Sequence, residues 1–178
     1  MPKIITARRR EDERDRARQY LRSRLMMPTI PLGMVTLLVG YGDVAVMWLQ
    51  DALTPRALLG STILFCSGAL WGWGHVRYER YLVAVHPDYL ARKQKWLDAA
   101  KEYKKVKRDG PTGGLEHPGR RVALAIYVVG ALAQCGVTLF YLGQVDVYAA
   151  IFLPWAGYFN AKVIFWRGLF TGSESRRL

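Results

Sequence analysis

The stretch from Met27 to Leu49, MPTIPLGMVTLLVGYGDVAVMWL, carries one formal charge, Asp43. At ~1.5 Å of rise per residue, a helix of this length crosses a hydrocarbon core of about 30 Å. Its small and polar residues are ordered along it. Gly33, Thr36, Gly40 and Asp43 step by three, four and three positions, so they share one helix face. Lipid tails gain nothing from such a face, whereas a neighbouring helix does, because small residues let two backbones approach closely. The rest of the chain is therefore expected to supply helices that pack against this one.

Three more apolar blocks fit that expectation. Residues 57–76 hold a GxxxG pair, Gly68 and Gly72, with Ser61 and His75 extending the same face. Residues 122–142 align Gly130, Gln134 and Thr138, and residues 147–169 align Gly157 and Asn160, with Pro154 expected to kink the last helix. Together these predict an all-α integral membrane fold of four transmembrane helices. They form two hairpins, 25–76 and 122–170, packed through Gly33, Gly40, Gly68, Gly72, Gly130 and Gly157. Cys66 and Cys135 both lie inside apolar blocks and read as small packing residues. No cleavable signal peptide is expected, because the first apolar block starts late and is full length.

The charge is distributed in the complementary way. The formal net charge is +12, and 24 of the 26 Lys and Arg residues fall in 1–24, in 77–121 and from Arg167 onward, whereas the two hairpin turns hold one Arg. In a soluble chain such a charge would point to nucleic acid. Beside membrane helices it points to loops held on the inner side against anionic lipid, and no nucleic-acid partner is expected. The N-terminal segment 1–24, the central loop 77–121 and the tail 171–178 are thus predicted inside, in a multi-pass protein of a bacterial cytoplasmic or mitochondrial inner membrane. Arg77, Arg80, Arg120, Arg121 and Arg167, beside Trp73 and Trp166, read as contacts for anionic phospholipid heads such as cardiolipin. Within the loop, Pro87 opens an amphipathic helix over 87–107, stopped by Gly110-Pro111. Its apolar side, with Leu90, Trp96, Leu97 and Tyr103, is expected to be hidden on the membrane surface or against a partner.

Chemistry is sparsely signalled. A carboxylate within a membrane helix is costly and is by default a functional candidate, which singles out Asp43. Lys162 is the other charge inside a span, but rise per residue places Asp43 ~10 Å from the outer surface and Lys162 ~10 Å from the inner one. Lys162 is expected to snorkel inward. Gln134, Thr138, Ser61 or Thr62 match the depth of Asp43 better, and Asn160 completes the set of intramembrane polar residues. His75 lacks a second histidine at suitable depth for bis-histidine haem and reads as interfacial, so no cofactor is expected. The tripeptide His86-Pro87-Asp88 resembles the signature of J-domain co-chaperones, which lies between two helices of which the first is basic. Here the preceding YLVAV continues a membrane helix, so the match reads as chance. No nucleotide loop, zinc spacing or nucleophile–base set is present, so neither a metal nor a catalytic residue is expected.

The expected role is a non-catalytic accessory or assembly subunit of a larger membrane complex. An energy-transducing complex is the favoured host, because small accessory subunits commonly occur there. The alternative is a small oligomeric proton- or ion-coupled transporter or channel working through Asp43. The topology is directly testable in a background without Cys66 and Cys135. A membrane-impermeant thiol reagent added outside should label Ala52→Cys and leave Lys105→Cys unlabelled, and outside labelling of Lys105→Cys would overturn the orientation.

Overall fold

The first apolar stretch folds as one helix, α2, over Met27–Leu49, with the limits its hydropathy sets. The structure, a computed structural model, describes residues 2–102 and 120–170. The expected end of the loop helix at 103–107, the linker 110–119 and the tail 171–178 lie outside the described residues. So do the side chains of Leu97, Arg120 and Arg167. Around α2 the elements are α1 (Pro2–Tyr20), a π-helical turn (Leu21–Met26), α3 (Pro55–Val85), α4 (Pro87–Glu102), α5 (Arg120–Tyr141) and α6 (Val147–Phe170). There is no strand among the described residues.

Proline chemistry sets several of these boundaries. Pro28 and Pro31 have no N–H to donate, and the ladder loosens just before them, with the Met27 N–H reaching the Arg22 carbonyl five residues back. The basic N-terminal helix is therefore continuous with α2. Thr54 caps α3 through its hydroxyl, which accepts from the Ala57 N–H at 3.1 Å, and Pro55 follows in the first turn. At the other end α3 runs nine residues past the expected limit of Val76, to Val85. Nothing in RYERYLVAV breaks a helix, and Leu82 continues the buried face. The helix ends at His86 because a residue before proline is driven out of helical geometry, here to φ −127° and ψ 55°.

Three helices combine the length and hydropathy needed to cross a membrane: Glu11–Leu49, Pro55–Val85 and Leu124–Tyr141. The fourth expected span, α6, has the length but interrupts its apolar run with Pro154, Asn160 and Lys162, and is not among them. It is nevertheless the centre of the bundle, packed on one side by α2 and on the other by α3. At α3–α6 the backbones themselves meet. A Cβ at Gly68 would overlap the Pro154 carbonyl, and a Cβ at Gly157 would overlap the Phe65 carbonyl. One turn along, a Cβ at Gly72 would stand 2.5 Å from the Tyr158 carbonyl oxygen. On the α2 side, Gly40 faces Leu153, Gly33 faces Phe159, and Asn160 donates to the Gly33 carbonyl at 3.2 Å.

Two apolar cores flank this crossing. Val44, Leu64, Val145, Ala149, Ala150 and Leu153 fill one end. Ala17, Leu21, Met26, Val76, Leu82, Leu90 and Trp166 fill the other, where α1 and α4 pack together against α3. The first turns of the loop helix therefore pack their apolar face on the protein itself: Leu90, Ala91 and Gln94 are buried. Trp96 is 45 % exposed on the isolated chain, the surface expected to meet a membrane or a partner. Helix α5 touches α3 and α6 only lightly, and none of Leu124–Tyr141 is buried.

The crossing gives a sharp expectation. Gly68→Ala should lower stability by about 3 kcal/mol or more, because the clash is with backbone that cannot rotate away. Gly136→Ala, where a Cβ meets nothing within 4 Å, should be neutral. Thermal unfolding in mild detergent measures both, and equal midpoints would refute the close approach.

Candidate functional site

Two rows of side chains meet where α3 and α6 leave their glycine contact. On α3, His75 and Glu79 are four residues apart; on α6, Tyr158, Lys162 and Trp166 follow at the same interval, so each row points one way. Glu79 and Lys162 are 5 % and 4 % exposed and form an ion pair at 2.8 Å. The second carboxylate oxygen of Glu79 accepts from the Trp166 indole N–H, also at 2.8 Å. His75 Nε2 lies 3.8 Å from the first oxygen, and His75 Nδ1 is hydrogen-bonded to the Tyr158 hydroxyl. Lys162 Nζ also sits 5.6 Å from the centre of the Tyr158 ring. Both oxygens of the carboxylate are thus satisfied, which is the condition for holding a charge away from water.

This cluster corrects several expectations. Lys162 does not snorkel, because an acid on the neighbouring helix holds it. Trp166, assigned to lipid heads, is 1 % exposed and spends its N–H on Glu79. Glu79 was not singled out, since it sits in a run of Arg and Tyr that resembles a membrane-surface belt. The matched i,i+4 rows on α3 and α6 were the available signal. Trp73 keeps an exposed position with Arg77 over its ring at 5.4 Å, and Arg80 donates to the Phe165 carbonyl while stacking on Trp166 at 5.7 Å. Arg121 is exposed.

Asp43 lies at the far end of the bundle and takes a partner outside the expected set. Its carboxylate accepts from the Ala149 backbone N–H at 3.1 Å, in the first turn of α6. Asp146 caps the same turn by accepting from Tyr148 N–H at 3.0 Å. The first turn of a helix presents unpaired N–H groups and the positive end of its dipole, so two carboxylates there have a plain structural role. The expected partners fail for a topological reason: the small-residue face of α2 meets α6, not α5. Ser61 donates to its own helix at Ala57, and Thr62 likewise to Leu58. Gln134 stays on α5 with a buried amide nitrogen that has no partner, and Thr138 is half-buried on the same helix. Gly130 faces the Trp71 indole nitrogen, which a Cβ would approach to 2.7 Å.

Beside the ion pair runs a cleft of ≈ 580 Å³, between α3 and α5 and roofed by α1 and α4. Trp71, which packs against Tyr127, Trp155 and Tyr158, forms its floor. Among the described residues no group of three His, Cys, Asp or Glu side chains is placed to hold a metal ion. Comparison with protein-family models, with curated proteins and with solved structures returned no match.

The ion pair predicts a specific pattern of stability. Glu79→Leu or Lys162→Met alone should cost about 3–5 kcal/mol, because each strands the opposite charge in the interior. The double variant should recover most of that loss. Thermal unfolding of the four proteins forms the cycle, and additive losses would show that the two groups act independently.

Proposed function

We propose that the chain is a multi-pass membrane protein, with α6 as its fourth span, that serves as a non-catalytic accessory or assembly subunit of a larger membrane complex. The observation that carries this reading is α5. Leu124, Ile126, Val129, Leu132, Leu139 and Phe140 are each more than 60 % exposed, on a helix that buries none of its apolar span against its own chain. Such a surface suits hydrocarbon on one side and a partner helix on another, and does not suit water. The polar groups of the interior are engaged in holding helices together: Asp43 caps α6, Asn160 joins α6 to α2, and Glu79 joins α3 to α6. None of the three is left over for a transport cycle, which weighs against the transporter alternative.

The basic surface fits contact with anionic lipid heads. Trp73, Arg77, Arg80 and Phe165 line a notch where two guanidinium groups stand beside aromatic rings. A bacterial cytoplasmic or mitochondrial inner membrane, rich in such lipids, with an energy-transducing assembly as host, is the setting this favours.

Purification of the tagged chain from its native membrane in mild detergent tests the proposal. It should stay membrane-bound through alkaline carbonate and co-migrate with a stoichiometric set of other membrane chains. Release by carbonate would overturn the membrane reading. A pure homo-oligomer would overturn the subunit reading in favour of the transporter.

A further inference from the structure

We propose that the cleft between α3 and α5 is a binding site for one anionic phospholipid, held with one acyl chain inside and its head beneath the roof made by α1 and α4. The proposal rests on the membrane reading above and goes beyond surface contact with lipid heads. At ≈ 580 Å³ the cleft is in the size range of small-molecule sites. Part of its wall is apolar: Leu70, Trp71, Leu124, Ile126 and Gly130 offer hydrocarbon and ring faces to a tail, with Leu70, Leu124 and Ile126 each more than 60 % exposed. The roofed end carries Tyr20, Tyr78, Tyr89 and Lys93.

The charge at the roofed end selects the head. Glu79 also lines the cleft, but its carboxylate is matched by Lys162 and Trp166 and presents no free negative charge. Both nitrogens of His75 are turned to protein, one to Tyr158 and one toward Glu79, so a head seeking a histidine donor finds none. Lys93 remains, half-buried with its ammonium 4.9 Å from the centre of the Tyr89 ring. A negative head is therefore matched there and a zwitterionic one less well. The cleft is open along one side. A second acyl chain can lie outside it on the exposed face of α5, which favours a two-chain lipid over a free fatty acid.

Gly74 provides the test. It lines the cleft, and a Cβ there would meet nothing within 4 Å, so Gly74→Phe sets a ring at the cleft from an unobstructed position. Gly136→Phe, equally unobstructed on α5 and not among the lining residues, is the control. Each protein is reconstituted in nanodiscs with equal phosphatidylglycerol and phosphatidylcholine, released into the gas phase, and scored for retained lipid by native mass spectrometry. Wild type and Gly136→Phe should keep one phosphatidylglycerol and Gly74→Phe should lose it. Lys93→Gln should lower the preference for the anionic lipid by about tenfold, one charge-assisted contact. Should Gly74→Phe fail to fold, Lys93→Gln decides alone: a reduced preference supports the site and an unchanged one overturns it. Equal retention by Gly74→Phe and wild type, no retained lipid, or retention of added oleate with no phospholipid would each overturn the proposal. A protein that resists carbonate but gives one of those results loses the site and keeps the membrane reading.

Discussion

The fold depends on one crossing, where α3 and α6 touch backbone to backbone at Gly68 and Gly157. Van der Waals attraction falls off steeply with separation, so helices that meet at their main chains gain contacts that bulkier side chains would forbid. Between helices in hydrocarbon such contacts would count for more than hydrophobicity, because lipid tails are as apolar as leucine. The crossing also sets everything around it. Two glycines on α3, one turn apart, fix the register, and from that register Glu79 comes to lie beside Lys162 and Trp166. The remaining contacts of α6 with α2 use the same device at Gly33 and Gly40, with Asn160 adding a hydrogen bond to main chain.

The distribution of polarity follows from position. Helix α6 is enclosed by α2 and α3, so it can carry Pro154, Asn160 and Lys162, each answered by a neighbour or by its own helix. Helix α5 stands at the periphery and is almost wholly apolar outward. The helix that reads as the weakest membrane span is therefore the most buried one, and the most exposed helix reads as a clear span. An isolated hydropathy profile inverts their structural importance, because it records what a helix could tolerate facing lipid rather than what its neighbours supply.

The same distinction explains what could be read from the residues. The limits of α2 were legible because Pro28 and an uninterrupted apolar run define them. The packing glycines were legible because a three-and-four spacing identifies a face. Spacing does not say which helix that face meets. Asp43 was matched by depth to Gln134, Thr138 and Ser61, but α2 meets α6, and the first turn of α6 brings a backbone N–H to the carboxylate instead. Glu79 was hidden for a related reason: Arg77, Tyr78, Arg80 and Tyr81 suggest an interface, and only a continuous α3 carries Glu79 onto the inward row with His75. A polar partner comes from tertiary arrangement, which periodicity within one helix does not contain.

The ion pair joins residues 83 positions apart, and its two halves emerge from the ribosome in that order. Between them lie α4 and α5, so Glu79 is without its cation until α6 has been made. A chain that stopped before Lys162 would leave the Glu79 carboxylate with neither the ammonium nor the Trp166 indole N–H to answer it. The helix that closes the crossing is thus also the one that makes a buried charge on α3 tolerable.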